Sequence, residues 1–107
     1  MAVFGILTWV FTALLLVLLI ACIAASRGTL PLNHLFGVRF PALMRNEAAW
    51  RTGHAACILP AAVCFALALV CSLVGLAVPA VHIVTVAVFA GAIVWVGVRG
   101  SRAAEAA

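Results

Sequence analysis

Few residues of this 107-residue chain carry side chains that do chemistry: two acids, three histidines, four cysteines and six arginines, with no Asp, Lys or Tyr. Paired carboxylates for acid–base work are excluded, because Glu47 has only Glu105 as a counterpart and Glu105 is expected in a frayed tail. Without Asp no Ser-His-Asp set can be drawn, and the chain has neither a glycine-rich phosphate loop nor an HExxH helix. Cys57, Cys64 and Cys71 recur every seven residues. Seven helical residues rise roughly 10 Å, so no two of these thiols can share a zinc ion or a disulfide. They read as small hydrophobes. Cys22, His54 and Cys57 could meet at one end of a bundle, but no acid or second histidine is placed to complete a metal site there. The expectation is a protein without catalytic residues, metal or cofactor.

What remains is recognition chemistry, and it is concentrated. Residues 28–54, GTLPLNHLFGVRFPALMRNEAAWRTGH, hold Arg39, Arg45, Arg51, Glu47, His34 and His54, with Arg27 alongside. Pro31 and Pro41 bracket an extended stretch, and Phe40, preceding a proline, is kept out of the α region. Gly37 permits a turn or a close backbone approach. Asn46 reads as an N-cap with Glu47 in the first helical turn, where negative charge is favoured. From Glu47 a helix can run straight into the next apolar stretch. It makes Glu47 and Arg51, and Trp50 and His54, neighbours one turn apart, with Gly53 leaving room beside Trp50. Plainer roles compete with recognition. The arginines fix orientation and touch lipid phosphates, Trp50 anchors an interface, His54 caps an apolar span and His82 is interfacial. His34 has no assigned role.

The elements that position these groups are membrane spans. The chain is 69% hydrophobic and 7% charged, against about 25% charged in soluble domains. Apolar runs cover 3–25, 55–78 and 80–98, and a helix needs roughly 20 residues to cross the hydrocarbon core. Pro79 ends the second run and suits the start of the third, giving a tight hairpin. The first run lacks a basic leader and is long for a signal peptide, so it is expected to stay uncleaved. The fold expected is all-α: one integral membrane domain over 1–107, with three transmembrane helices and a polar loop over 26–54. Arg27, Arg39, Arg45 and Arg51 lie between spans one and two, and Arg99 and Arg102 follow span three. Arginine-rich short loops stay cytoplasmic, which places the N-terminus outside and the C-terminus inside. The formal charge of +4 is an orientation signal. No patch outside the membrane is large enough to bind nucleic acid.

Span two carries a seam of small residues, Cys57, Ala61, Cys64, Ala68, Cys71 and Gly75, at heptad spacing. In lipid, helices associate where small residues let backbones approach. The seam is therefore expected to face protein, with Ala87 and Gly91 answering it on span three and Gly5, Thr8 and Thr12 on span one. Pro60 removes one backbone bond, so a bend is expected there and a neighbour must satisfy the freed carbonyl.

Pro31, Asn33, Gly37, Val38, Arg39 and Pro41, followed by Asn46, Glu47, Trp50 and His54, resemble the signature of the SdpI family. That signature runs Asn, Gly-Ile/Val-Arg-Thr-Pro, an acidic helix start, then Trp and a His four residues on. Phe40 stands where the family has Thr, and Ala55 where an Arg often follows the His. The family's founding member is an integral membrane immunity protein. It protects a producing bacterium from its own killing peptide and relays signals by sequestering a repressor at the membrane. The resemblance implies a bacterial plasma-membrane protein with a binding surface of Asn33, Gly37, Arg39, Pro41, Glu47, Trp50 and His54. Partners are then the lipid bilayer and a toxin peptide or regulatory protein. Two other classes stand beside this reading: an accessory subunit docking on a larger membrane complex through the small-residue seam, and a small homo-oligomeric transporter. Transport is disfavoured because no span carries Asp, Glu, Lys or Arg.

Overall fold

The computed structural model describes residues 2–33 and 37–106; His34 lies outside them. Three helices are long and apolar enough to cross a membrane: α1 (Ala2–Ser26), α2 (Glu47–Gly75) and α3 (His82–Glu105), the last preceded by a 3₁₀ turn over Pro79–Val81. The chain is an all-α multi-pass membrane protein. Its longest dimension is 45 Å, matching a bilayer of about 40–45 Å with its headgroups.

Local sequence explains each boundary. The Asn46 side chain accepts a 2.8 Å bond from the Ala49 N–H, capping α2 as its sequence implies. Pro79 occupies the first position of the 3₁₀ turn, where its missing N–H costs nothing. α2 runs through Pro60 as one helix. The carbonyl that Pro60 cannot serve is that of Ala56, and Arg99 Nε–H of α3 donates to it at 3.2 Å. α3 does not fray at its arginines. It continues to Glu105, and Arg45 Nη2 donates to the Ala104 carbonyl at 2.8 Å, favourable for a cation at a helix C-terminus.

α2 is central and packs along both α1 and α3, which touch each other far less. Its seam is buried at Cys57, Ala61, Cys64, Ala68 and Gly75, but Ser72 rather than Cys71 is buried between the last two. An α-helix turns every 3.6 residues, so a strict seven-residue repeat drifts about 20° per heptad. By the third repeat the contact has moved on by one residue. Leu59, Val63, Leu67, Val70, Leu73 and Val74 face outward, as lipid-facing residues do.

The expected partner on α3 is corrected. Ala87 and Gly91 are exposed, and a side-chain carbon at Gly91 would meet nothing within 4 Å. The buried stripe of α3 is Thr85, Ala92, Val96, Gly100 and Ala104. Gly53 serves a different purpose from the one expected. The room beside it is filled by Leu43, with the Gly100 backbone close by. Two clusters form the interior. One, at mid-depth, is Leu15, Cys64, Ala68 and Ala92. The larger lies where the connector meets the helices and includes Cys22, Val38, Leu43, Trp50, Cys57 and Val96.

Candidate functional site: the clamped connector and the groove beneath it

The first turns of α2 grip the connector. Glu47, Trp50 and His54 are spaced three and four apart and share one helical face. Each binds a different point of the connector backbone. Glu47 Oε1 accepts the Leu32 N–H at 2.7 Å. Trp50 Nε1–H donates to the Leu30 carbonyl at 3.0 Å. The Val38 N–H donates to His54 Nε2 at 2.8 Å. Since Nε2 accepts, the proton of this imidazole sits on Nδ1, which donates to the Trp50 carbonyl at 2.7 Å. His54 is thus a neutral ring with both nitrogens engaged, which leaves it no lone pair for a metal. The Trp50 and His54 rings lie 4.2 Å apart at 51°, and both residues are fully buried.

Gly37 is where the connector comes down on these rings. Its φ is +103°, and a Cβ there would sit 2.8 Å from both His54 Nε2 and Trp50 Cη2. Backbone conformation and close approach each demand glycine at this point. Beyond it, Pro41 follows Phe40 in a turn closed by the Leu43 N–H on the Phe40 carbonyl at 3.0 Å, the position proline favours. Leu43 is buried in the Gly53 notch, and the Phe40 ring lies over Gly97 of α3. Asn33 Nδ2 donates to the Pro31 carbonyl at 2.8 Å, shaping the connector's entry. Arg51 lies over Gly28 rather than pairing with Glu47, whose Oε1 is taken by Leu32.

Below the connector, α1 and α3 diverge and leave a groove of about 620 Å³. Leu14, Leu15 and Leu18 form one wall, Phe89, Ile93 and Val96 the other, and Gly37–Phe40 the roof, with Arg39 at the rim. Phe89 of the α3 wall stacks on Phe11 of α1, centroids 4.4 Å apart with the planes at 11°.

Of the residues singled out from sequence, Gly37, Glu47, Trp50 and His54 meet in one clamp, Asn33 and Pro41 shape the connector on either side, and Arg39 stands exposed at the groove. Sequence reasoning missed Leu43, the Val38–His54 bond and the Phe40–Gly97 contact. Thr8 and Thr12, expected to answer the seam, do so within a second polar centre at the hairpin end, whose partners Ser72 and His82 sequence reasoning missed. There Thr8 Oγ1 donates to the Gly5 carbonyl at 3.0 Å and bonds His82 Nδ1 at 3.1 Å. Thr12 Oγ1 donates to the Thr8 carbonyl at 2.8 Å and bonds Ser72 Oγ at 2.9 Å. His82, expected to be merely interfacial, is buried over Gly75. The signal was available: hydroxyls on helical stripes in apolar spans mark helix contacts.

A comparison with curated proteins and one with solved structures each find no match. The profile of the SdpI/YfhL protein family matches residues 29–99, a stretch that runs from the start of the connector through α2 and most of α3 and so contains the whole clamp. The chain belongs to the SdpI/YfhL protein family.

Proposed function

We propose that this protein is a non-enzymatic immunity or signal-relay component of a bacterial plasma membrane, answering to a membrane-active peptide at the connector. The observation that carries the reading is the three-point clamp. It fixes an irregular segment against the bundle and presents Arg39 and Phe40 at the mouth of a groove open to the side. Trp50 and His54, being buried, serve this surface by holding it. Arginine placement supports a cytoplasmic connector with the N-terminus outside and the C-terminus inside.

Cells lacking the gene should lose viability when challenged with the cognate killing peptide, and an Arg39→Ala variant that inserts normally should fail to restore it. Unchanged survival of the deleted strain sinks the reading. A second reading, docking on another membrane protein or on another copy, is favoured by one observation: the small pair Ala87 and Gly91 faces outward with open space beside Gly91. Cross-linking from a cysteine placed at Gly91 would capture that neighbour.

A further inference from the structure

We propose that the groove between α1 and α3 is a binding site for one anionic phospholipid, with an acyl chain between the helices and its phosphate on Arg39. This does not rest on the immunity reading and can fail or hold without it.

Shape argues for an acyl chain. The floor is buried at Leu15 and Val96, while Leu14 and Ile93 are about half exposed at 49% and 51%. The groove therefore opens sideways, into hydrocarbon. Along its α3 wall, from Phe89 to Val96, the helix rises about 10 Å, enough to seat part of a lipid tail. The groove's volume of roughly 620 Å³ lies within the usual range of about 300–1,000 Å³ for ligand sites. A peptide would bring an N–H and a carbonyl with every residue, and walls built of Leu, Ile, Val and Phe side chains offer them no partner. A hydrocarbon tail brings no such groups.

Charge argues for an anionic head. All six arginines of the chain sit at the connector end, against Glu47 and Glu105, so this end carries net positive charge. A guanidinium presents five N–H donors in a fork matched to phosphate oxygens. Phe40, braced on Gly97, walls the rim beside Arg39, so the headgroup is held at one place and not merely attracted to a basic surface.

The test is native mass spectrometry of the full chain released from nanodiscs of equimolar phosphatidylglycerol and phosphatidylcholine with identical acyl chains. The wild type should retain one phosphatidylglycerol in clear preference. Arg39→Gln should cut that preference about tenfold, the size of one charge-assisted contact, and Arg39→Lys should keep part of it. Ile93→Trp, which fills the groove from its exposed wall, should lower retention of both lipids while helical content stays the same. Equal retention of the two lipids by the wild type would overturn the proposal. Indifference to Arg39→Gln, or undiminished binding in Ile93→Trp, would do so too. A peptide mass or a second copy of the chain in place of lipid assigns the groove to that occupant instead.

Discussion

The two ends of the bundle are held by different kinds of polar contact. At the connector end, side chains of one α2 face bind the backbone of an irregular segment: Glu47 to Leu32, Trp50 to Leu30, His54 to Val38. At the hairpin end, side chains bind one another across helices whose own backbones are already satisfied: Thr8 to His82, Thr12 to Ser72. Buried backbone N–H and carbonyl groups must be paired somewhere. Removing His54 or Trp50 at the connector strands a backbone group, the buried Val38 N–H or the part-buried Leu30 carbonyl, while the Glu47 contact lies at the exposed edge. A rung removed at the hairpin end strands only a side-chain group, a hydroxyl of Thr12 or Ser72 or the His82 ring nitrogen, and no backbone group. The first set is required for the fold to close. The second is adhesive between elements that stand without it.

The largest effect should come from Trp50→Ala. It deletes a fully buried ring and the partner of the Leu30 carbonyl, and should cost about 3–5 kcal/mol, read as a fall in melting temperature in detergent. His54→Phe keeps an aromatic ring, somewhat larger than imidazole, but strands the Val38 N–H, for about 1–3 kcal/mol. Hydrogen exchange at the Val38 amide should then rise several-fold while exchange in the core of α2 stays unchanged. A pair of matched substitutions sharpens the point. Gly37→Ala should be severely destabilising, since φ is +103° and both rings are in the way, whereas Gly91→Ala, with open space around it, should be neutral or slightly stabilising through helix propensity. If the two alanines cost the same, the clamp has been misread.

The same contrast governs what could be read from sequence. The spans, the Asn46 cap, the proline start of the hairpin and the need to rescue a carbonyl below Pro60 follow from local rules, and all four are found. Trp50 and His54 were legible as one face of a helix, and Gly37 as a close approach. What they approach was not, because the connector's path depends on Leu43 and Phe40 finding the notches at Gly53 and Gly97 on helices distant in sequence. Helix rotation was the other weak point. Ala87 and Gly91 have suitable size and depth, but depth does not fix which way a helix faces. Packing against neighbours does, and the face chosen carries Thr85, Ala92 and Gly100. A seven-residue repeat likewise pointed to Cys71 where a straight helix delivers Ser72.

An intermediate effect tests the hairpin end through the close packing of His82 on Gly75. Gly75 leaves space into which the His82 ring fits, so Gly75→Ala must push that ring off and break its bond to Thr8. Overpacking of this kind costs about 1–3 kcal/mol. His82→Ala in the same chain removes the obstruction, so the double variant should recover most of the loss, and a thermal-melt double-mutant cycle would show strong coupling. Additive losses would mean that the ring is not what Gly75 accommodates.

The smallest effects separate two buried threonines, Thr12 on α1 and Thr85 on α3. Thr12→Val removes the hydroxyl that links α1 to α2 through Ser72. Interhelical hydrogen bonds within a bilayer average about 0.6 kcal/mol, so the loss should be of that order. Thr85 is equally buried, but its hydroxyl has no partner among the described residues. Thr85→Val keeps the shape and discards an unsatisfied polar atom, so it should be neutral or raise stability by up to about 1 kcal/mol. The sign is the discriminating reading, since the two replacements are chemically identical. Should Thr85→Val lower the melting temperature as much as Thr12→Val, the Thr85 hydroxyl has a bound water or other partner in the membrane, and the hairpin end is a hydrated site instead of a dry ladder.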